Sequence, residues 1–202
     1  MYKYPNLIDL NNIDAQYWLG FIAADGCVSK DYARIDIGYL SIIDIDHLYK
    51  FKEFVKCKNN VIVSRNMCKI CLSDIDTTNK IIEFGITPRK SHNLKINSEI
   101  LINSKHFWRG VIDGDGCLSI NNKNDGYSYP RMTLVGTYDL LCQFKDFVYN
   151  NINYTCKVYN HDKIYQIELH NNQARDMTEI LYSNAKTYLD RKMEIAKSFI
   201  FE

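Results

Sequence analysis

The sequence predicts an α+β protein built from two copies of one structural unit. The segment Trp18-Leu-Gly-Phe-Ile-Ala-Ala-Asp-Gly26 returns ninety residues later as Trp108-Arg-Gly-Val-Ile-Asp-Gly-Asp-Gly116. After each copy, the apolar patterns predict the same order of elements: two strands, a helix, two more strands and a second helix. Because the offset of 90 persists outside the repeated segment, we expect two similar halves related by a pseudo-twofold axis.

Each repeated segment, hereafter a motif helix, is expected to be a capped helix of about three turns. Asp14 and Ser104 are residue types preferred as helix N-caps. Gly26 and Gly116 lie where the helices should end, in the left-handed conformation that glycine adopts at low cost. Small residues four positions apart would let the two helices approach closely. These are Gly20 and Ala24 in the first copy and Gly110 and Gly114 in the second.

The elements that follow can be placed from periodicity. In the first half we expect strands 27–30, 33–40, 60–66 and 68–73 and helices 44–57 and 76–84. In the second half we expect strands 117–121, 130–136, 155–160 and 163–170 and helices 138–149 and 172–183. The first helix of each set has an apolar stripe at helical spacing, which is typical of a core-facing surface. The stripes are Ile45, Leu48, Phe51 and Val55, and Leu140, Leu141, Phe144 and Val148.

In the predicted strands apolar and polar residues alternate, so each sheet should have one buried face and one polar face. The polar residues are of the types that contact base edges and phosphates. An ordinary solvated sheet face is the alternative, and the paired acids described below favour a binding surface. The candidates are Ser29, Arg34, Asp36, Lys69, Ser73, Ser119, Arg131, Thr133, Gln166, Glu168 and His170.

Composition narrows the class of protein. With 202 residues, 46% of them hydrophobic and 24% charged, the chain resembles an ordinary soluble globular protein. Neither a membrane span nor a signal peptide is apparent, so we expect an intracellular protein that does not associate with membranes. The formal net charge of +1 neither demands nor forbids a nucleic-acid partner.

The seven cysteines are an odd number without a regular spacing, which indicates free thiols in a reducing compartment. Cys68-x-x-Cys71 leaves zinc as an alternative. That alternative is disfavoured because no second pair follows at a suitable spacing. In addition, the two thiols would face opposite sides of a strand.

The two motif helices end on acids, Asp25 and Asp115. Carboxylates at neighbouring helix C-termini repel each other and face the negative ends of both helix dipoles. A divalent cation would relieve this repulsion, and ligation by oxygen alone indicates Mg²⁺. Such a site suits phosphodiester hydrolysis. Asp-Gly pairs can also be simple turns, but two copies in register favour a site; Asp113 is a weaker candidate because Ala23 is its counterpart.

A second similarity lies near the end of each half, where Thr87-Pro-Arg-Lys90 resembles Tyr188-Leu-Asp-Arg-Lys192. A lysine near a reacting phosphate can stabilise developing negative charge or act on the water network. Lys90 and Lys192 are therefore candidate catalytic partners of the acids. The alternative is that both are solvated surface lysines.

The chain is expected to divide into a first half (1–90), a linker (91–103) and a second half (104–202). No run of glycine or proline marks the linker as flexible. We therefore expect the halves to pack as one body.

At the two motifs the chain resembles the LAGLIDADG homing endonucleases in their monomeric, two-motif form. The similarity is close at Leu19–Gly26, closer at Arg109–Gly116, and with the repeated order of elements covers nearly the whole chain. It implies a duplicated αββαββα unit with the motif helices at the centre and the sheets forming a saddle in the DNA major groove. It also implies magnesium-dependent cleavage of both strands of a long asymmetric site, leaving short 3′ overhangs.

Carried over by position, the resemblance makes Asp25 and Asp115 the metal-binding acids, with the backbone carbonyls of Ala24 and Gly114 as further ligands. Lys90 and Lys192 become the peripheral basic residues. Arg34, Lys69, Arg131 and Gln166 would contact bases or phosphates. One departure is the nearly neutral charge, since family members are commonly strongly basic.

Site-specific cleavage of double-stranded DNA is the leading hypothesis for function. An intron maturase that binds intron RNA, or a non-cleaving nucleic-acid-binding protein on the same scaffold, is the alternative. An intein-embedded nuclease is disfavoured, because the sequence starts at Met1 and ends in Phe-Ile-Phe-Glu202 without a splicing nucleophile or a His-Asn end.

Overall fold

A computed structural model describes residues 3–31, 33–122, 128–161 and 164–201. Within these residues, each half contributes one antiparallel sheet of four strands flanked by helices, which confirms the predicted α+β class. The strand orders are β1-β2-β4-β3 and β5-β6-β8-β7. The two sheets therefore have the same topology, as a duplication requires.

The helices are α1 Pro5–Ile8, α2 Ile13–Asp25, α3 Ile45–Phe54, α4 Ile75–Glu83, α5 Glu99–Ile102, α6 Lys105–Asp115, α7 Tyr138–Ile152, α8 Asn171–Tyr182 and α9 Asp190–Phe201. The strands are β1 Gly26–Ser29, β2 Arg34–Ser41, β3 Ile62–Ser64, β4 Met67–Ser73, β5 Gly116–Asn122, β6 Ser128–Gly136, β7 Tyr159–His161 and β8 Ile164–His170. Among the described residues, no helix combines the length and the apolar character needed to cross a bilayer.

The motif helices α2 and α6 pack against each other along their small residues. A methyl group added at Gly20 would lie 2.0 Å from the carbonyl oxygen of Phe107, and one added at Gly110 would lie 2.1 Å from that of Tyr17. A methyl group at Gly114 would lie 2.4 Å from the Cβ of Ala24. The predicted close approach is confirmed, and glycine is required because backbone faces backbone at this seam.

The prediction that Gly26 and Gly116 are left-handed is wrong. Gly26 has φ −81° and ψ 162°, and Gly116 has φ −85° and ψ 166°, which are extended conformations. Glycine is needed there for space, since an added methyl would lie 2.5 Å from the carbonyl oxygen of Ile22 and 2.6 Å from that of Ile112. Each motif helix therefore continues directly into the first strand of its sheet.

The two N-caps differ. Ser104 caps α6 as predicted, and its hydroxyl accepts from the backbone N–H groups of His106 and Phe107 at 3.1 and 3.2 Å. The prediction for Asp14 is wrong, because the side chain of Asn12 caps α2. The Asp14 carboxylate instead accepts from the Thr187 hydroxyl at 2.6 Å, across the two halves.

The predicted alternation in the sheets is confirmed. One face of each is buried against the helices, through Ile35, Ile37, Ile70 and Leu72 in the first sheet and Met132, Leu134, Ile167 and Leu169 in the second. The core stripes are also buried, except that Ile45 is only partly buried.

Several strands are shorter than expected. β3 ends at Ser64 because Arg65, with φ 54°, starts the turn into β4. The strand expected over 155–160 begins only at Tyr159. Lys163, the expected start of the next strand, lies outside the described residues. Helix α9 was not predicted.

The segment between the halves packs on the second half. Leu94 and Ile96 are buried. The Gln143 side chain, on α7, accepts from the backbone N–H of Ile96 at 3.0 Å and donates to its carbonyl oxygen at 2.7 Å. The exact division of the chain at 91–103 remains a prediction.

Candidate active site

The two predicted acids lie side by side at the end of the seam. Asp25 is the last residue of α2, and Asp115 is the last residue of α6. A methyl group at Gly114 would lie 3.3 Å from Oδ2 of Asp25, so the Asp25 carboxylate lies against the end of the neighbouring helix. Both side chains are partly buried.

Burial and mutual repulsion govern the electrostatics of this pair. Burial, followed by the charge of Asp115, raises the pKa of Asp25 to about 6. Burial also raises the pKa of Asp115. Lys90 and Lys192 oppose both shifts through their positive charges. The pair is thus an anionic site that positive charge stabilises.

Both predicted lysines are next to the acids. Lys90 starts the 3₁₀ turn Lys90–His92, and its ammonium group donates to the carbonyl oxygen of Ala24. Lys192, in the first turn of α9, is only 5% exposed. Its ammonium group donates to the carbonyl oxygens of Gly116 and, at 3.3 Å, Ile112. Burial lowers the pKa of both lysines.

The donor set at this site fits Mg²⁺. In the described parts of the chain, no group of three or more His, Cys, Asp or Glu side chains is arranged so that it could hold a metal ion. The acids therefore offer two carboxylates, to which backbone carbonyls can add. Mg²⁺ keeps several waters and binds in this manner, through one or two carboxylates plus substrate phosphates. An open cavity of about 210 Å³ is lined by Asp115 and Lys90 and otherwise largely by apolar side chains.

The zinc alternative finds no support at Cys68 and Cys71. Cys68 is buried under the first sheet, whereas Cys71 lies on the opposite, polar face. Thiols on opposite faces of one strand cannot ligate a common ion.

The polar face of each sheet carries matched cross-strand rows beside the acids. In the first sheet, Arg34 lies between Ser29 and Ser73. In the second sheet, the equivalent residue is Arg131, which lies between Ser119 and His170. The next row inward places Asp36 opposite Cys27 and Cys71 in the first sheet, and Thr133 opposite Cys117 and Glu168 in the second.

The remaining predicted contacts lie further along the same faces. Lys69 is opposite Ile62, and Gln166 is opposite Val135 and Tyr159. The two sheet faces thus have the same cross-strand pairing but carry different side chains at the paired positions.

The polar groups on these faces pair differently in the two sheets. In the first sheet, the Arg34 guanidinium contacts Asp36 at 2.8 Å. In the second, the Glu168 carboxylate accepts from Arg131 at 2.5 Å and from the amide of Gln166, and lies 3.1 Å from Nε2 of His170. Glu168 is therefore the centre of a four-residue cluster.

Asp113 has a larger part in the structure than the sequence indicated. Its carboxylate is fully buried and accepts three hydrogen bonds: from the hydroxyls of Tyr17 at 2.7 Å and Tyr182 at 2.6 Å, and from the backbone N–H of Leu189 at 2.8 Å. We call these four residues the Asp113 network. The available signal was an acid inside an apolar helix with a tyrosine, Tyr17, at the equivalent of Phe107.

Arg109 lies beside this network and was also missed. It is 1% exposed, and its guanidinium donates to the carbonyl oxygens of Thr187 and Leu181, both at 2.9 Å. The guanidinium carbon also lies 5.2 Å from the centre of the Tyr17 ring. Arg109 therefore ties α6 to the end of α8 and to the segment before α9.

Comparisons with known proteins agree with this architecture. No family model and no curated protein sequence matches the chain. Among solved structures, the chain is similar to the LAGLIDADG meganuclease I-AabMI bound to uncleaved DNA, with TM-score 0.65 and 14% identity over 91% of this chain and 88% of that one. It is also similar to the LAGLIDADG homing endonuclease I-GzeII in complex with its DNA target, with TM-score 0.66 and 13% identity over 91% and 87%.

A third similar structure is the LAGLIDADG homing endonuclease I-SmaMI bound to cleaved DNA, with TM-score 0.62 and 11% identity over 91% of this chain and 86% of that one. These likenesses span nearly the whole chain. The protein therefore has the fold of LAGLIDADG homing endonucleases.

Proposed function

We propose that this protein is a magnesium-dependent endonuclease that hydrolyses one phosphodiester bond in each strand of a long, asymmetric DNA site, leaving short 3′ overhangs. The observation that carries the proposal is the pair of acids, Asp25 and Asp115, which two equivalent helices bring together beside the partly buried Lys90 and the buried Lys192. The fold shared with DNA-bound endonucleases supports the same assignment.

In this proposal Asp25 and Asp115 hold Mg²⁺, with the carbonyls of Ala24 and Gly114 as further ligands. The bound ion would supply Lewis-acid activation of water and of the phosphoryl oxygens. The Ala24 carbonyl accepts from Lys90 and keeps a second lone pair for this purpose.

Lys90 and Lys192 act next to the acids. Their ammonium groups are held by backbone carbonyls and so are fixed in place before substrate arrives. A fixed positive charge stabilises negative charge that develops on a phosphate, and it does so more strongly where water is excluded. We assign both lysines to stabilisation of the reacting phosphates and to orientation of water.

The polar sheet faces are the proposed DNA-binding surfaces. Each face is joined to its motif helix at an Asp-Gly pair, so DNA bound across both sheets passes over the acids. Arg34, Lys69 and Arg131 have the charge to contact phosphates or guanines, and Gln166 has the amide that pairs with adenine. The remaining proposed contacts are Ser29, Asp36, Ser73, Ser119, Thr133, Glu168 and His170.

The proposal is tested by a cleavage screen of a randomised duplex library with MgCl₂, followed by assays on the selected site. Asp25→Asn and Asp115→Asn should each reduce cleavage by about a thousandfold or more, because either change removes a metal ligand. Asp46→Asn, at an exposed position on α3, makes the same change in charge and is the control.

The binding assay separates the possible results. Retained DNA binding with loss of cleavage in the two acid variants supports the proposal. Undiminished cleavage by either variant contradicts it. Binding by the parent protein without any cleavage, with or without Mg²⁺, also contradicts it and identifies a non-cleaving nucleic-acid-binding protein.

A further inference from the structure

We propose that Asp113 is a positioning residue for Lys192. Cleavage of one DNA strand therefore depends on Asp113, whereas cleavage of the other strand depends on it much less. This inference rests on the proposed nuclease function. It concerns a residue that is separate from the paired acids and that has no counterpart in the first half, where Ala23 stands at the equivalent position.

The first step is the link from Asp113 to the start of α9. The Asp113 carboxylate accepts from the backbone N–H of Leu189, which immediately precedes the helix. The Leu189 carbonyl in turn accepts from the backbone N–H groups of Lys192 and Met193, both at 3.0 Å. Asp113 thus holds the residue that begins the helical turn carrying Lys192.

The second step is the rigidity of Asp113 itself. Its carboxylate is held by the hydroxyls of Tyr17 and Tyr182, on α2 and α8, in addition to Leu189. A buried carboxylate with its hydrogen bonds satisfied is fixed in orientation, because breaking any of them leaves an unpaired polar group away from water. Arg109 holds the preceding segment through Thr187 and Leu181.

The third step is the end of the chain of contacts. The Lys192 ammonium group bonds to the carbonyl oxygen of Gly116, the residue that follows Asp115. Asp113 lies in the last turn of α6, and Gly116 directly follows this helix, so the hydrogen bonds form a closed loop from α6 to α9 and back. This loop sets the distance between Lys192 and the acids.

The first half is built differently at the equivalent places. The residue that would serve Ala23 across the seam, as Tyr17 serves Asp113, is Phe107 of the second half, and it has no hydroxyl. Lys90 lies on a single 3₁₀ turn, after Arg89 in the left-handed conformation with φ 58°, rather than on a long helix. Lys90 is therefore positioned by a local turn, whereas Lys192 is positioned by a buried network.

The test is strand-resolved cleavage of a duplex that carries a different fluorophore on each strand. Asp113→Asn should slow one strand by about 100-fold, since a displacement of about 1 Å can have that effect, and change the other less than about threefold. The affected strand should be the one that Lys192→Met slows. Tyr182→Phe, which keeps the Leu189 contact, should give a smaller loss on the same strand.

Thr178→Val is the matched control, because it removes a buried hydroxyl without a hydrogen-bond partner from the same helix as Tyr182. Its two strand rates should stay equal to those of the parent protein. If Asp113→Asn and Tyr182→Phe slow both strands in the same proportion, Asp113 serves overall stability alone and the inference is overturned.

A second measurement does not require nuclease activity. Lysine labelling with an amine-reactive acetylating reagent, followed by mass spectrometry, should show Lys192 labelled about twofold or more faster in Tyr182→Phe, which loosens Asp113 and keeps its charge, and Lys90 unchanged. Unchanged Lys192 labelling, or equal increases at both lysines, overturns the inference. If the parent protein cleaves neither strand, the proposed function fails, while the labelling result still decides whether Asp113 positions Lys192.

Discussion

The two halves of the molecule share a backbone plan and differ in what they bury. Each has a motif helix that ends in an acid, runs directly into a strand and leads to a sheet of the same order. The second half alone adds the fully buried Asp113 to this helix, with partners from three other segments. The two halves are therefore alike in how they place the acids and the strands. They differ in which contacts position Lys90 and Lys192.

The seam between α2 and α6 is where single substitutions should have the largest effect on stability. Gly20→Ala and Gly110→Ala should each destabilise the protein by about 3 kcal/mol or more, because the added methyl groups meet backbone atoms that cannot move separately. Both effects should be similar in size, since the seam is symmetric there. Urea denaturation followed by circular dichroism measures the change.

Gly38→Ala is the control for the seam variants. Its added methyl group would lie 3.3 Å from the Cβ of Lys69, a tight contact that a shift of a few tenths of an ångström relieves, so it should change stability by less than about 1 kcal/mol. If Gly20→Ala were as well tolerated as Gly38→Ala, the close approach of the two helices would be incorrect.

The lysines provide a second way to sharpen the comparison. Lys90→Met and Lys192→Met should each slow cleavage by about 100-fold, as expected for loss of a fixed positive charge near a reacting phosphate. The two variants should slow opposite strands and accumulate complementary nicked products. Supercoiled plasmid cleavage with strand-specific sequencing of the nicks measures this. Loss of the same strand in both variants would contradict the assignment of one lysine to each half.

The acid pair predicts a dependence on pH. The pKa of Asp25 is raised from 3.8 to about 6, so the folded protein binds this proton more tightly than the unfolded chain does. Without Mg²⁺, the free energy of unfolding contributed by this group should therefore fall as the pH rises from about 4 to above 6. Because protons compete with the cation for the carboxylate, Mg²⁺ should stabilise the protein more at pH 8 than at pH 5.

Thermal unfolding with and without MgCl₂ measures this effect. At ten times the dissociation constant the stabilisation is about 1.4 kcal/mol, or roughly 3–5 °C. Asp115→Asn removes the repulsion, so it should weaken both the fall of stability with pH and the response to Mg²⁺. An equal response of Asp115→Asn and the parent protein would show that the cation binds elsewhere.

The smallest effect is expected on the sheet faces. Glu168→Gln removes the negative charge that pairs with Arg131 and His170, so it should tighten DNA binding by a few-fold and steepen its salt dependence. Asp36→Asn should act less, since Asp36 pairs with Arg34 alone among these candidates. Fluorescence anisotropy at several salt concentrations measures both. Weaker binding of the target by Glu168→Gln would show instead that Glu168 contacts a base directly.

Much of the fold could be predicted because its signals are local or periodic. The seam glycines, the acids and the alternating strands each depend on residues a few positions apart, and the repeat confirmed each prediction by its second copy. The boundaries were harder. Asn12 rather than Asp14 caps α2. Both are suitable residue types two positions apart, and the Asp14 carboxylate accepts from the distant Thr187 hydroxyl instead.

The support of the site could not be predicted, because it depends on contacts between distant segments. The partners of Asp113 come from positions 17, 182 and 189, and no spacing in the sequence connects them. Helix α9 was missed although Met193, Ala196 and Phe199 recur at intervals of three and are buried. Comparison of the halves gave no help with this helix.

The bond between Tyr17 and Asp113 crosses the seam, and it has a consequence for how such a chain can be assembled. In a pair of two second halves, Phe107 would replace Tyr17 and each buried Asp113 would lose a donor. In a pair of two first halves, Tyr17 would face Ala23 instead of an acid. The interface therefore favours unlike halves over like ones. A gene that encoded either half alone would yield a poorer dimer than the fused chain, so fusion and asymmetry reinforce each other.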